Sequence, residues 1–442
     1  MNGSPILAFS MWLALAGTAV AAEWSQFRGP AGDGHAAAQL PVTWSETENV
    51  AWKTEIPGRG WSSPVTENGT IWLTTAIEDK LTDEEIAAFR EAEKAKGNGV
   101  AGEMQLVQGI RLQALAIDGK SGELLRTVEL FDVKDPGGIH SLNSFASPTP
   151  IADAGRLFCH FGTYGTACVE TETGKILWKT SLPLDHGVGP GSSPVLFQNL
   201  LVIPCDGVNE QYVVALDANT GKTVWKTARP PMEGSRGDLH KAFSTPLVVE
   251  EGPEPQVIII GAQWAVSYRP LTGEEVWRVN HGKGFSNVPR PIIGHGRVYL
   301  CTGFMRPELW AIDLFGKGDL APEAIAWKYN RQVPTMPSPV LVGERIYFIH
   351  DQGVMTCLNA LTGEEVWQKR VPGNYSASLL AAGDHLYLFN REGEATVIKA
   401  GDDYEEVAIN KLDGSYMSSP AVLGNDLIVR TETHLYRIGA GK

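Results

Sequence analysis

Groups that could hold a ligand gather in eight short stretches of this chain. They read Gly58-Arg59-Gly60-Trp61, His140 through Phe145, His186 through Gly189, Arg236 through Lys241, His281 through Phe285, Arg331-Gln332, Asn374-Tyr375 and Tyr416-Met417. Four of the ten histidines fall there, beside arginines, lysines and aromatic rings, although the chain as a whole carries a net charge of −14. Fixed cations, planar surfaces and N–H donors suit a ligand that is anionic, or aromatic with polar edges. The candidate ligand-binding side chains are therefore Arg59, Trp61, His140, Asn143, His186 and Arg236, together with His240, Lys241, His281, Lys283, Arg331 and Tyr375. The histidines stand on separate stretches with no ligand spacing between them, so no metal site is expected.

The patterns of covalent or acid–base catalysis are missing. The chain has no G-x-S-x-G elbow, no H-E-x-x-H and no phosphate-cradling glycine loop ahead of a helix, and no catalytic residue is assigned. Asp118, Asp217 and Asp313 recur at one position of a repeat, which marks a turn. The five cysteines, Cys159, Cys168, Cys205, Cys301 and Cys357, are odd in number and lack C-x-x-C spacing, so they read as small buried hydrophobes. If Tyr164-Gly165 makes a tight hairpin, Cys159 and Cys168 fall diagonally on one of its faces, where a disulfide is open to them.

The elements that must position these stretches are strands. A unit recurs that opens on Ser-Pro or a variant of it, runs through three apolar strands, turns at Thr-Gly and ends in a fourth strand bearing tryptophan. Trp178, Trp225, Trp277, Trp327 and Trp367 follow one another at spacings of 47, 52, 50 and 40 residues. Openings stand at Ser63, Ser147, Ser193, Thr245, Arg290, Ser338, Ser378 and Ser419. Four short strands per period of this length build one blade of a β-propeller. Val50 to Pro57 copies the fourth strand with no blade before it, and the segment after Ser419 supplies three strands only. The two ends together complete a last blade, which predicts an all-β, eight-bladed ring closed by an amino-terminal strand. In such a ring the eight chemical stretches link each fourth strand to the next first strand, so their ends converge on one mouth of the central channel.

Residues 23–48 form a Gly/Pro-rich leader expected to pack over the ring surface, and 49–442 form the propeller. Within the first blade, residues 78–109 interrupt the pattern. Thr82-Asp83-Glu84-Glu85 is a capping box that opens a helix to about Lys96, ended by Gly97-Asn98-Gly99, and the whole reads as a solvated surface insertion. Residues 1–22 carry a short apolar run, Ile6 to Val20, ending in small residues, which predicts a signal peptide and an exported protein in a periplasm or outside the cell. No later segment is long and apolar enough to span a bilayer. An acidic chain with no basic run argues against nucleic acid as partner, and a monomer is expected.

These repeats, with the Trp24-Ser25-Gln26-Phe27-Arg28-Gly29-Pro30 leader, resemble the PQQ-like β-propeller repeat family, and the resemblance covers nearly all of the chain after residue 22. It implies one of two roles: a quinoprotein dehydrogenase using pyrroloquinoline quinone, or a non-catalytic propeller that scaffolds or binds, as a more distant outer-membrane-assembly lipoprotein does. The chain departs from both. It has no adjacent cysteine pair, no match to the calcium ligands of the quinoproteins, no C-x-x-C-H for haem, and no cysteine near residue 22 for lipid attachment. The expected function is binding at the channel mouth, of a partner protein or a small anionic or quinone-like ligand. A quinone-dependent oxidoreductase is the alternative.

Overall fold

The computed structural model describes residues 23–95 and 103–439, so the expected export segment 1–22 and the glycine stop at 97–99 lie outside the described residues. The rest forms eight antiparallel sheets around one axis. Blade 1 comprises Val65–Glu67, Thr70–Lys80, Val107–Asp118 and Leu124–Lys134, and blade 2 Ile151–Asp153, Arg156–His160, Thr166–Glu170 and Ile176–Thr180. The innermost strands of the next six are Val195–Phe197, Leu247–Val249, Ile292–Gly294, Val340–Val342, Leu380–Ala382 and Ala421–Leu423. The eighth blade is composite. Val50–Glu55 pairs antiparallel with His434–Ile438, with Thr54 opposite Leu435.

One device joins each blade to the next. The indole N–H of Trp52, Trp178, Trp225, Trp277, Trp327 and Trp367 donates to a backbone carbonyl at the three-to-four turn of the following blade, at 2.9–3.1 Å. The turn glycine makes this approach feasible. Gly221 and Gly273 adopt φ of 70° and 72°, and a Cβ on either would come within 2.5 Å of the preceding blade's tryptophan ring. Behind the turn the register slips by one residue, so that Ile176 and Trp178 face neighbours on Val169 and Cys168 while Leu177 is left exposed.

The first half of the leader, Trp24 to Ala36, does not lie over the ring surface. It enters the channel. Trp24 exchanges hydrogen bonds with Thr66 of blade 1, Ser25 accepts from Ala152 of blade 2, Arg28 donates to Pro339 of blade 6, and Gly34 accepts from Ala381 of blade 7. His35–Ala36 then adds a parallel strand inside Leu380–Ala382. From Leu40 the leader leaves the axis along blade 7, where Trp44 stacks on Tyr387 and Phe389 and its backbone N–H donates to Asn410 of the outermost strand. The physical reason is apolar: Trp24 and Trp44 are each 3% exposed, and a surface position would leave both rings in water.

The insertion also differs in part. Its helix, Asp83–Ala95, is capped as expected, with Glu85 N–H donating to Thr82 Oγ1 and Thr82 N–H to the Glu85 carboxylate. The returning limb is not decoration, because Met104–Gln105 pairs with Ile139–His140 of the link into blade 2. All five cysteines are buried, and none is disulfide-bonded among the described residues. Phe158 stands opposite Cys168 and Cys159 opposite Ala167, so the two thiols occupy opposite faces of blade 2 and cannot meet.

Candidate functional site

The Ser/Thr residues that open the blades meet around the axis. The backbone N–H of Ser63 donates to Thr149 Oγ1, that of Thr149 to Ser193 Oγ, and that of Ser193 to Thr245 Oγ1; Arg290, Ser338 and Ser378 donate in the same way to Ser338, Ser378 and Ser419, all at 2.9–3.1 Å. Six of the eight first strands are thereby tied to the next at their entry, and a collar of hydroxyls faces the channel. Blade 5 breaks the series with Arg290. Its guanidinium, fully buried, donates to the carbonyls of Pro246 and Phe27, fastening the leader from within.

Above the collar is a cavity of about 570 Å³, a volume typical of small-molecule sites. The leader reaches it with one residue, Phe27, below which the leader contacts the inner strands. Trp61, Leu142, Phe243, Phe285, Phe304 and Met336 contribute most of its apolar wall, and Lys241 is the cation in that wall. Lys241 is 7% exposed; its Nζ donates to the Asp238 backbone carbonyl at 2.8 Å, and burial holds its ammonium below the ordinary lysine value against the opposing charges of Asp238 and Asp185. The two carboxylates of the lining, Glu103 and Asp238, are engaged at the rim by His140 at 3.2 Å and Arg236 at 2.7 Å.

Of the twelve side chains expected here, the structure brings four to the cavity: Trp61, His140, Asn143 and Lys241. Asn143 is also a brace, donating to the Val188 and Pro190 carbonyls and accepting from Ser147 Oγ. Arg59 lies behind Trp61, its guanidinium 5.0 Å from that ring and donating to Ser141, and supports the wall without lining it. The other seven face elsewhere. His186 accepts from the Thr163 N–H, and burial lowers its pKa to about 4; His281 bonds the Gly261 carbonyl, and burial takes it to about 4 as well. His240 bonds the Glu233 carbonyl outside the cavity, and Arg236 and Arg331 pair with Asp238 and Glu365. Lys283 is exposed, and Tyr375 is 1% exposed in the core with its hydroxyl on Pro372. Among the described residues, the expected cationic mouth is an apolar cavity with one deep cation, Lys241.

Several lining residues escaped the sequence reading. Glu103 comes from the insertion and Phe27 from the leader, both set aside as decoration. The hydroxyl collar was in view as the repeated Ser/Thr-Pro opening except in blade 2, where Thr149 joins it in place of the expected Ser147, and in blade 5, where Arg290 stands.

The geometry can be set beside known proteins. A family model described as outer membrane protein assembly factor BamB matches residues 111–314 and 261–416. Tetrathionate hydrolase of Acidithiobacillus ferrooxidans is 24% identical over 283 residues, covering 57% of this chain and 54% of that protein. Polyvinylalcohol dehydrogenase of a Pseudomonas species is 31% identical over 93 residues, 18% of this chain and 15% of that protein. The chain thus spans about half or less of the curated relatives it matches. Among solved structures, BamB from Moraxella catarrhalis superposes with a TM-score of 0.53 at 13% identity over 76% of this chain and 99% of that one. Quinohemoprotein alcohol dehydrogenase from Comamonas testosteroni gives 0.64 at 11% identity over 95% and 81%. At such identities the likeness is one of fold.

Proposed function

Because the chain belongs to the PQQ-like repeat propeller family, the one whose matching model is described as outer membrane protein assembly factor BamB, we propose that it is a non-catalytic binding propeller whose channel-mouth cavity takes a small, largely apolar ligand. One observation carries this reading: the leader crosses the channel and leaves an aromatic-walled chamber beside Phe27, lined by the crossing links. Rigid blades hold the walls, and the polar groups are few and placed, as small-molecule sites require.

The quinone used by part of the family does not fit these residues. Pyrroloquinoline quinone is a tricarboxylate held with a calcium ion, and its charge asks for several cations and clustered carboxylates. The cavity wall offers Lys241, and its two carboxylates are engaged by His140 and Arg236. Among the described residues no three His, Cys, Asp or Glu side chains gather to hold a metal ion.

A partner protein is the second reading, supported by the exposed apolar rim: Leu142, Phe304 and Met305 are 42%, 48% and 71% exposed. Export, with residues 1–22 as the signal and 23–48 as the leader of a single propeller domain, belongs to the same proposal. No helix among the described residues is long and apolar enough to cross a membrane. Calorimetric titration with 2-methylnaphthalene, a neutral flat probe, tests the cavity. One molecule per chain is expected to bind, and Phe285→Ala to weaken it roughly tenfold, the worth of about 1.4 kcal/mol of lost contact. Binding unchanged in Phe285→Ala and in Phe243→Ala would place the probe elsewhere and overturn the reading.

A further inference from the structure

The collar hydroxyls are half used. A serine or threonine hydroxyl has one hydrogen and two lone pairs. Six of these oxygens each accept one backbone N–H from the preceding blade, and among the described residues none of their hydrogens has a protein acceptor. Ser63, in the same ring and 1% exposed, has no hydrogen bond through its hydroxyl at all. Seven O–H groups therefore point for partners into a chamber whose remaining wall is mostly aromatic and aliphatic. These hydroxyls are open to the chamber, so its occupant, solvent or ligand, can supply the partners they lack.

The free hydroxyls could in principle donate or accept, since each keeps a second lone pair. Lys241 decides between the two. Its ammonium is nearly excluded from water, it has no carboxylate within ion-pair distance among the described residues, and the oxygen it reaches is a neutral carbonyl. The acids of the lining stand at the rim, where Asp238 pairs with Arg236 and Glu103 lies 3.2 Å from the His140 ring. An occupant bearing a positive charge would be repelled by Lys241; one bearing a negative charge would complete an ion pair in a low-dielectric wall and offer the hydroxyl hydrogens acceptors.

Resting on the reading of the cavity as a small-ligand site, we infer that its ligand is a carboxylate on a flat apolar body, the carboxylate against Lys241 and the hydroxyl collar and the body against Phe243 and Phe285. The class is set by charge and shape. Phe27, at the end of the leader's reach into the channel, limits how far such a body descends.

The test compares two calorimetric titrations of the full chain at pH 7.5, one with 2-naphthoate and one with 2-methylnaphthalene, which share a ring system and differ in the charged group. Naphthoate is expected to bind at least tenfold more tightly. Lys241→Met should abolish that difference while sparing the neutral probe. Ser63→Ala should reduce it severalfold with an unchanged melting temperature, because that hydroxyl carries no inter-blade bond. Equal affinity for the two probes in the unmodified chain, or a difference that survives Lys241→Met, overturns the inference and leaves the cavity reading standing. Tighter binding of 2-naphthylmethylammonium than of naphthoate overturns it too. Failure of both naphthalene probes to bind defeats the cavity reading itself, and this inference with it.

Discussion

His160, His186 and His281 are held in or against the blades as neutral imidazoles, pushed by burial to about 3, about 4 and about 4. A base depressed in the folded state gains its proton only on unfolding, so its contribution to stability is complete above about pH 6.5 and is lost as pH falls toward 4. Asp206 works against this. Burial beside Arg229 raises it to about 6, so the folded state takes up one proton in the same window. Near pH 5 the unfolded chain still binds about two more protons than the folded one on this balance, and stability should rise with pH. Scanning calorimetry is expected to show a melting temperature falling from pH 7 to pH 4.5, with a shallower slope in His281→Gln. A flat profile would mean that these imidazoles are solvated. At this scale the sequence was only half legible. It named the links that reach the mouth, yet a link has no period from which to read side-chain direction: Lys241 and His281 are equally polar in the sequence, and one lines the cavity while the other bonds Gly261 in the core.

The strand and turn repeat was the most legible layer, because each of its parts has a steric reason. The turn glycine carries a positive φ and leaves room for an indole, and the indole answers a carbonyl of the next blade. Trp277 shows what this is worth. It is fully buried and its N–H is shared between Leu314 and the Gln256 side chain, whereas Trp225 is half-buried and donates to Pro270 alone. Trp277→Phe should cost about 2–4 kcal/mol through the orphaned buried acceptors and the gap left by the smaller ring, and Trp225→Phe about 1 kcal/mol. Urea denaturation of the two variants measures both; equal losses would remove the staple from the account of blade packing. What the pattern could not show was the return of the insertion. Glu103 to Leu106 has neither turn signal nor alternation, and its pairing with Ile139–His140 is decided by tertiary contact.

For the whole ring, the composite blade is the decisive joint. A chain beginning at residue 58 lacks both Val50–Glu55 and the leader, leaving His434–Ile438 as an uncovered strand edge. It is expected to aggregate or to lose a cooperative melt, while a chain beginning at residue 37 keeps the closing strand and should remain folded with a lower melting temperature and an open channel. A cooperative melt at the original temperature in the shorter chain would refute the composite blade. The sequence announced this joint through a fourth strand with no blade before it. It could not announce that Trp24 to Ala36 threads the axis, since nothing local distinguishes a Gly/Pro-rich cork from a Gly/Pro-rich cover.

The threaded leader also fixes an order in time. Arg28 finds its acceptor 311 residues downstream at Pro339, and Gln39 its partner 386 residues downstream at Asn425. Contacts of such separation form late, because the intervening chain must first be closed into a ring. Arg28 to Gln39 therefore gain their partners only once blades 6 to 8 have formed, whereas Trp24 meets Thr66 only 42 residues on. Burial of Arg28 to Gln39 is a built-in report that blades 6 to 8 are in place.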